Sequence, residues 1–128
     1  MPEHREQIRV RWVETDASGR IHFTAPFRWF EIAEFELLRA LGSPHGSHPG
    51  VDFPRVSVGT TYRRPLRVDD VVEVRIRPGR VGERSITYQC EVYQAEDLVI
   101  DGYVTCVAVG PDGQSCPLPE ALRRALTS

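Results

Sequence analysis

The run ETDASGRIHFTAPFRWFEIAEFELLRALG, residues 14 to 42, places Asp16 in a short glycine-containing loop ahead of a long apolar, helix-like segment. A helix amino terminus presents unpaired backbone N–H groups and partial positive charge, which suits a developing oxyanion. If the segment HFTAP enters the helix, the amides near Phe23 and Thr24 can hold a carbonyl oxygen there. A carboxylate several residues upstream can fold back onto that spot and either attack the carbonyl carbon or activate water. The two parts make an acyl-transfer site that needs no serine, cysteine or metal. Spacing alone favours a plainer expectation, in which Asp16 caps a turn through its own side chain and Gly19 supplies an unusual backbone angle.

Other side chains compete for roles around this loop. His22, near the helix start, is expected to make an ordinary polar contact, with orienting water or touching Asp16 as the alternative. Thr24 is expected to cap the helix rather than donate its hydroxyl to a substrate. Glu31 and Glu34 are second carboxylate candidates on the helix, weighed against solvated or arginine-paired glutamates. His45 and His48 form H-x-x-H with no third ligand beside them, so no metal site is expected. Arg63, Arg64 and Arg67 offer planar guanidinium groups suited to phosphate, or form a solvated strand end. Phe27, Trp29, Phe30 and Tyr62 are expected mostly in the core, with lining an apolar pocket as the alternative.

The elements that must position these residues follow from periodicity. Residues 8 to 14, IRVRWVE, alternate Ile8, Val10 and Trp12 against Arg9 and Arg11, predicting a strand with one buried face. A helix is expected from about Pro26 to Leu41, with Phe30, Ala33, Leu37, Leu38 and Leu41 on one stripe and Gly42 as the stop. Phe27, Trp29 and Phe35 lie off that stripe, so the helix should be wrapped on several sides. Residues 42 to 55, GSPHGSHPGVDFPR, read as a long loop of the kind that borders binding sites. Strands are expected around 56–63, 68–78, 84–95 and 98–109, with turns at Gly79 and Gly82 and at Glu96-Asp97. After a turn at 111–113, PLPEALRRAL predicts a short terminal helix with Leu118, Leu122 and Leu126 on one side. One helix cannot cover both faces of a five-stranded sheet, so a homodimer or larger assembly is expected.

Composition bounds these readings. A chain of 128 residues with 41% apolar and 27% charged residues predicts one packed domain over 1–128. A net charge of −2 argues against bulk attraction to nucleic acid or an anionic membrane surface. No apolar run is long enough to span a bilayer, and MPEHREQ lacks a signal-peptide core. Three cysteines, Cys90, Cys106 and Cys116, without metal-ligand spacing read as free thiols in a reducing cytoplasm, Cys90 and Cys106 as core residues.

Arg11, Asp16, Gly19, Ile21, Phe23, Phe27, Trp29, Phe30, Glu31 and Ala33 form a pattern that resembles the amino-terminal signature of hotdog-fold thioesterases. The resemblance is to the branch of 4-hydroxybenzoyl-CoA thioesterase and related acyl-CoA thioesterases. Element order and the stretch TTYRRPLRVDDVVEVRIRPGRVGERSITYQCEVY extend it over nearly the whole chain. The chain departs from relatives at Phe23, Thr24, Ala25 and Pro26, and at Glu34, where arginine is common.

The resemblance implies an α+β hotdog fold, in which a curved five-stranded antiparallel sheet wraps one long helix. It also implies homodimers joined sheet edge to edge and paired as dimers of dimers, with active sites at the interface. Asp16 would be the catalytic nucleophile or general base, and the Phe23 N–H, with Thr24 as a second donor, would polarise a thioester carbonyl. His22 is carried as a further catalytic candidate. Gly19, Phe27, Tyr62, Arg63, Arg64 and Arg67 are the substrate-binding candidates. The implied reaction is acyl-CoA hydrolysis without a cofactor. An acyl-carrier-protein thioester as substrate, and a non-catalytic acyl-CoA-binding module, are the rival expectations.

Overall fold

The computed structural model describes residues 2–128. In chain order they form β1 (His4–Arg9), a single 3-10 turn (Trp12–Glu14), α1 (Ala25–Ala40), β2 (Arg55–Tyr62), β3 (Val71–Val81), β4 (Ser85–Gln94), β5 (Asp97–Val107) and α2 (Glu120–Thr127). The strands make one sheet in the order β1-β3-β4-β5-β2, antiparallel throughout. This is the α+β hotdog arrangement implied by the sequence.

Period-two alternation puts Val72, Val74 and Ile76 of β3 and Ile86, Tyr88, Cys90 and Val92 of β4 on the buried face, with Ile100, Val104 and Cys106 of β5. The helix lays Trp29, Phe30, Ala33 and Leu37 onto that face. The opposite face carries charge, including the Arg77–Glu91 pair at 3.2 Å and Arg75 stacked 4.0 Å over the Tyr93 ring. Gly102 of β5 lies under Phe30, where a Cβ would meet Phe30 Cε2 at 3.1 Å and the Gly59 carbonyl of β2. A side chain at this position would collide with backbone, so glycine sets how closely helix and edge strand approach.

Several boundaries differ from the sequence expectation. The first strand ends at Arg9, and Trp12–Glu14 turn as a 3-10 helix instead of continuing it. Trp12 is therefore 81% exposed, while Glu14 is buried. The alternation misled because a carboxylate, not an apolar residue, fills the inward position. Trp29, off the expected stripe, is completely buried, as a helix wrapped on several sides requires. Gly79 lies at a bulge inside β3, between Pro78 and Arg80, and the turn begins at Gly82. Leu118, Leu122 and Leu126 are all buried, as the terminal-helix reading requires.

Candidate active site

Asp16 sits in a tight loop whose ends are tied together. Its N–H donates to the Arg20 carbonyl at 2.8 Å and its carbonyl accepts from the Gly19 N–H at 3.0 Å, with Gly19 at φ +83°. The side chain does shape the turn: Oδ1 accepts from the Ser18 N–H at 2.8 Å and the Ser18 hydroxyl at 2.6 Å. Those two bonds, the hydroxyl first, hold the carboxyl below its usual range and keep it ionised. The side chain is exposed in the single chain. Turn-shaping and an anionic, accessible carboxylate coexist here.

Downstream, the donors at the head of α1 are allotted one by one. The His22 N–H donates to the Glu14 carbonyl at 2.7 Å and the Ala25 N–H to the His22 carbonyl at 3.0 Å. The Thr24 N–H donates to His22 Nδ1 at 3.2 Å, which makes Nδ1 an acceptor. It follows that the Thr24 hydroxyl, 2.7 Å from the same nitrogen, is its donor. Thr24 therefore occupies the cap position without a side-chain cap bond, contrary to the capping expectation. Pro26 has no N–H to offer. The Phe23 N–H alone among these has no acceptor among the described residues. Its carbonyl is held from the other side by a short hydrogen bond from the Tyr62 hydroxyl.

The structure thus gathers Asp16, Gly19, His22, Phe23, Thr24 and Tyr62 at one corner. Arg67 joins them, its Nη1 lying 3.6 Å from where a Gly19 Cβ would stand. Arg63 and Arg64 do not: Arg63 pairs with Asp101 at 3.2 Å and Arg64 with Asp97 at 3.1 Å. Phe27 is half-buried, edge-on to Phe30 at 6.1 Å, and packs against the core.

Sequence reasoning missed Glu14. Its carboxylate is 5% exposed and takes the Arg11 N–H at 2.8 Å, the Trp29 indole N–H at 2.9 Å and Arg11 Nη2 at 3.2 Å. Burial would push this carboxyl up, but the hydrogen bonds from Arg11 and Trp29 outweigh it and hold it low. A glutamate three residues after Arg11 is the spacing of half a capping box, and that was the legible signal.

The helix carboxylates separate by burial. Glu31 is exposed, whereas Glu34 is buried and bound by both terminal nitrogens of Arg55, one of them at 3.2 Å. Burial raises the Glu34 carboxyl against the pull of Arg55. Neither lies in the Asp16 corner; both line a separate cavity with the segment 42–54.

Family comparison agrees with this architecture. The model of the thioesterase superfamily matches residues 18–100. The chain belongs to the thioesterase superfamily. The 1,4-dihydroxy-2-naphthoyl-CoA hydrolase of Synechococcus sp. strain CC9605 is 32% identical to this superfamily member over 126 residues, 91% of this chain and 85% of the relative. A hypothetical protein from Thermus thermophilus superposes with a TM-score of 0.91 at 30% identity over 97% of both chains. One from Aquifex aeolicus gives 0.91 at 27%, over 96% of this chain and 98% of the other. The superfamily member is thus an enzyme of the thioester-hydrolase class that its sequence implies. The family match begins at Ser18, so the case for Asp16 rests on its geometry. Among the described residues, no helix is long and apolar enough to cross a membrane.

Proposed function

We propose that this thioesterase hydrolyses an acyl-CoA thioester to a free acid and coenzyme A, with Asp16 and the Phe23 N–H as its catalytic pair. The observation that carries the reading is the unpaired Phe23 N–H at the head of α1, in the same corner as an ionised, accessible carboxylate. The helix terminus and the N–H stabilise the oxyanion as the carbonyl carbon becomes tetrahedral. Asp16 either adds to that carbon itself, giving on loss of the thiolate a mixed anhydride that water then hydrolyses, or takes a proton from the attacking water. In both routes the C–S bond breaks and the departing thiolate takes up a proton that the water supplies. The His22–Thr24 pair fixes the segment that presents the N–H. Arg67, whose guanidinium pairs with no carboxylate among the described residues, is the candidate for coenzyme A phosphate, with Arg63 and Arg64 already paired.

The site is completed by a second copy of the chain. β2 is an edge strand whose Val56 and Val58 are 58% and 46% exposed, and Phe23 beside the corner is 66% exposed. Antiparallel pairing of two β2 edges about a twofold axis would satisfy that edge and cover these side chains. Sedimentation should give a dimer or a multiple of it, and Val58→Asp should shift it toward monomer.

A thiol-release screen over short, long and aromatic acyl-CoAs tests the reaction. Asp16→Asn should retain fold and assembly and lose about a hundredfold or more in turnover. Near-unchanged hydrolysis by the folded variant removes Asp16 from the mechanism. Single turnover in labelled water reports carboxylate attack as label in Asp16 when water opens the mixed anhydride at the Asp16 carbon, whereas general-base attack puts label in the product acid alone.

A further inference from the structure

Tyr62 is the last residue of β2, and in sequence it stands 39 positions from the residue its hydroxyl touches. In the sheet register Val58, Thr60 and Tyr62 lie beside Val104, Gly102 and Ile100 of β5. Alternate residues of a strand share a face, so all three point to the side on which Phe30 of α1 lies against Gly102. Tyr62 ends this row, and its hydroxyl donates to the Phe23 carbonyl. Among the described residues, no other donor reaches that carbonyl.

Both partners are anchored on their own account. Just past Tyr62, the Arg63 N–H donates to the Val99 carbonyl at 2.8 Å and its guanidinium holds Asp101 at 3.2 Å. On the other side, the His22 N–H is fixed on the Glu14 carbonyl. Between these anchors, the peptide unit joining Phe23 to Thr24 is gripped at both ends. Tyr62 holds its carbonyl, and His22 Nδ1 accepts its N–H at 3.2 Å. Donation into an amide carbonyl polarises the amide and strengthens its N–H as a donor, so the phenol and the imidazole reinforce one another. Part-burial pushes the Tyr62 phenol above its ordinary value, which keeps it protonated and able to donate.

The unpaired Phe23 N–H belongs to the peptide unit immediately before. The carbonyl of that unit, from His22, accepts the Ala25 N–H at 3.0 Å. Peptide units are planar, so once the second is fixed only φ and ψ of Phe23 set the direction of the first. Without the phenol, the second unit is held at its N–H alone and can turn about that bond. The Phe23 N–H then loses its fixed aim, and a shift of about 1 Å in such a group costs on the order of a hundredfold in rate.

We infer that Tyr62 is a positioning residue for the hydrolysis: through the Phe23 carbonyl it holds the Phe23 N–H in the direction that meets the substrate carbonyl oxygen. It touches no reacting atom itself. The assignment rests on the role proposed above for that N–H.

The experiment compares Tyr62→Phe with Tyr103→Phe. Tyr103 also bonds β2 through its hydroxyl, which lies 3.2 Å from the Ser57 hydroxyl, so it reports the general effect of losing a phenol from this edge. Benzoyl-CoA and hexanoyl-CoA serve as substrates. Tyr62→Phe should lower kcat about tenfold and leave KM within about twofold, with the acid limb of the rate profile unmoved. Its Thr24 amide should exchange with solvent at least about fivefold faster by NMR, whereas Tyr103→Phe should change none of these. A rise in KM at unchanged kcat makes Tyr62 a substrate contact and overturns the inference. So does a moved acid limb, an equal loss in Tyr103→Phe, or unchanged Thr24 exchange. Asp16→Asn is run alongside, so the two readings fail separately. Full activity of Tyr62→Phe where Asp16→Asn is inactive overturns the positioning role alone. If the wild type cleaves neither thioester, the proposed reaction falls and the positioning role falls with it.

Discussion

The indole N–H of Trp29 donates to the buried carboxylate of Glu14 at 2.9 Å, joining the second turn of α1 to the segment that precedes the Asp16 loop. The Glu14 carbonyl also accepts the His22 N–H from the far side of that loop. One residue therefore ties together the two ends of the loop and the helix that follows.

Replacing Glu14 should loosen this corner. Glu14→Ala strands the Trp29 indole donor and the Arg11 N–H, with an expected loss of about 1–3 kcal/mol in urea unfolding. The pH dependence has a defined sign. Because the folded carboxyl is held low, its contribution is present above the unfolded glutamate pKa of about 4 and lost as pH falls through the lower folded value. The stability of Glu14→Gln should therefore change less than that of the wild type over that acidic window.

Ser18 should set the acid limb of the rate profile. Its hydroxyl contributes the largest effect holding the Asp16 carboxyl low. Ser18→Ala should raise the Asp16 pKa, so the acid limb of kcat/KM against pH moves to higher pH while the plateau is nearly preserved. An unmoved limb would mean that Asp16 ionisation does not control the rate.

The Glu34–Arg55 pair joins helix to edge strand across the cavity floor. Arg55→Met leaves a buried carboxylate without its cation, and a loss of about 3–5 kcal/mol is expected. Removing both charges, as Glu34→Leu with Arg55→Met, should recover most of that loss. A double-mutant cycle by chemical unfolding measures the coupling.

Gly102→Ala tests the close approach of β5, β2 and Phe30. The added methyl group meets backbone at Gly59 and the edge of the Phe30 ring, and overpacking of this kind costs about 1–3 kcal/mol. The same substitution at Gly113, where the added Cβ would meet no group beyond its chain neighbours within 4 Å, meets only the strain of φ +78° and should cost less.

How much was legible depended on whether a signal was local. β3 and β4 alternate cleanly, so their buried faces could be read directly from Val72, Val74, Ile76 and from Ile86, Tyr88, Cys90. The strand misread at 8–14 shows the limit. Trp12 continued the alternation but turns outward, because Glu14 finds its donors in Arg11 and in Trp29, fifteen positions away. Arg55 and Glu34, separated by 21 residues, carried no mutual mark at all.

From sequence alone came the element types and the loop-before-helix placement of Asp16 and Gly19, since these rest on short-range periodicity and turn chemistry; the family resemblance came from the matching residues between Arg11 and Ala33. Tertiary structure decided that β2 crosses to the outer edge beside β5. It also decided which N–H at the helix head stays free and which glutamate is buried. Those outcomes depend on which distant groups compete for each donor, charge and strand edge, and that competition exists only once the chain is packed.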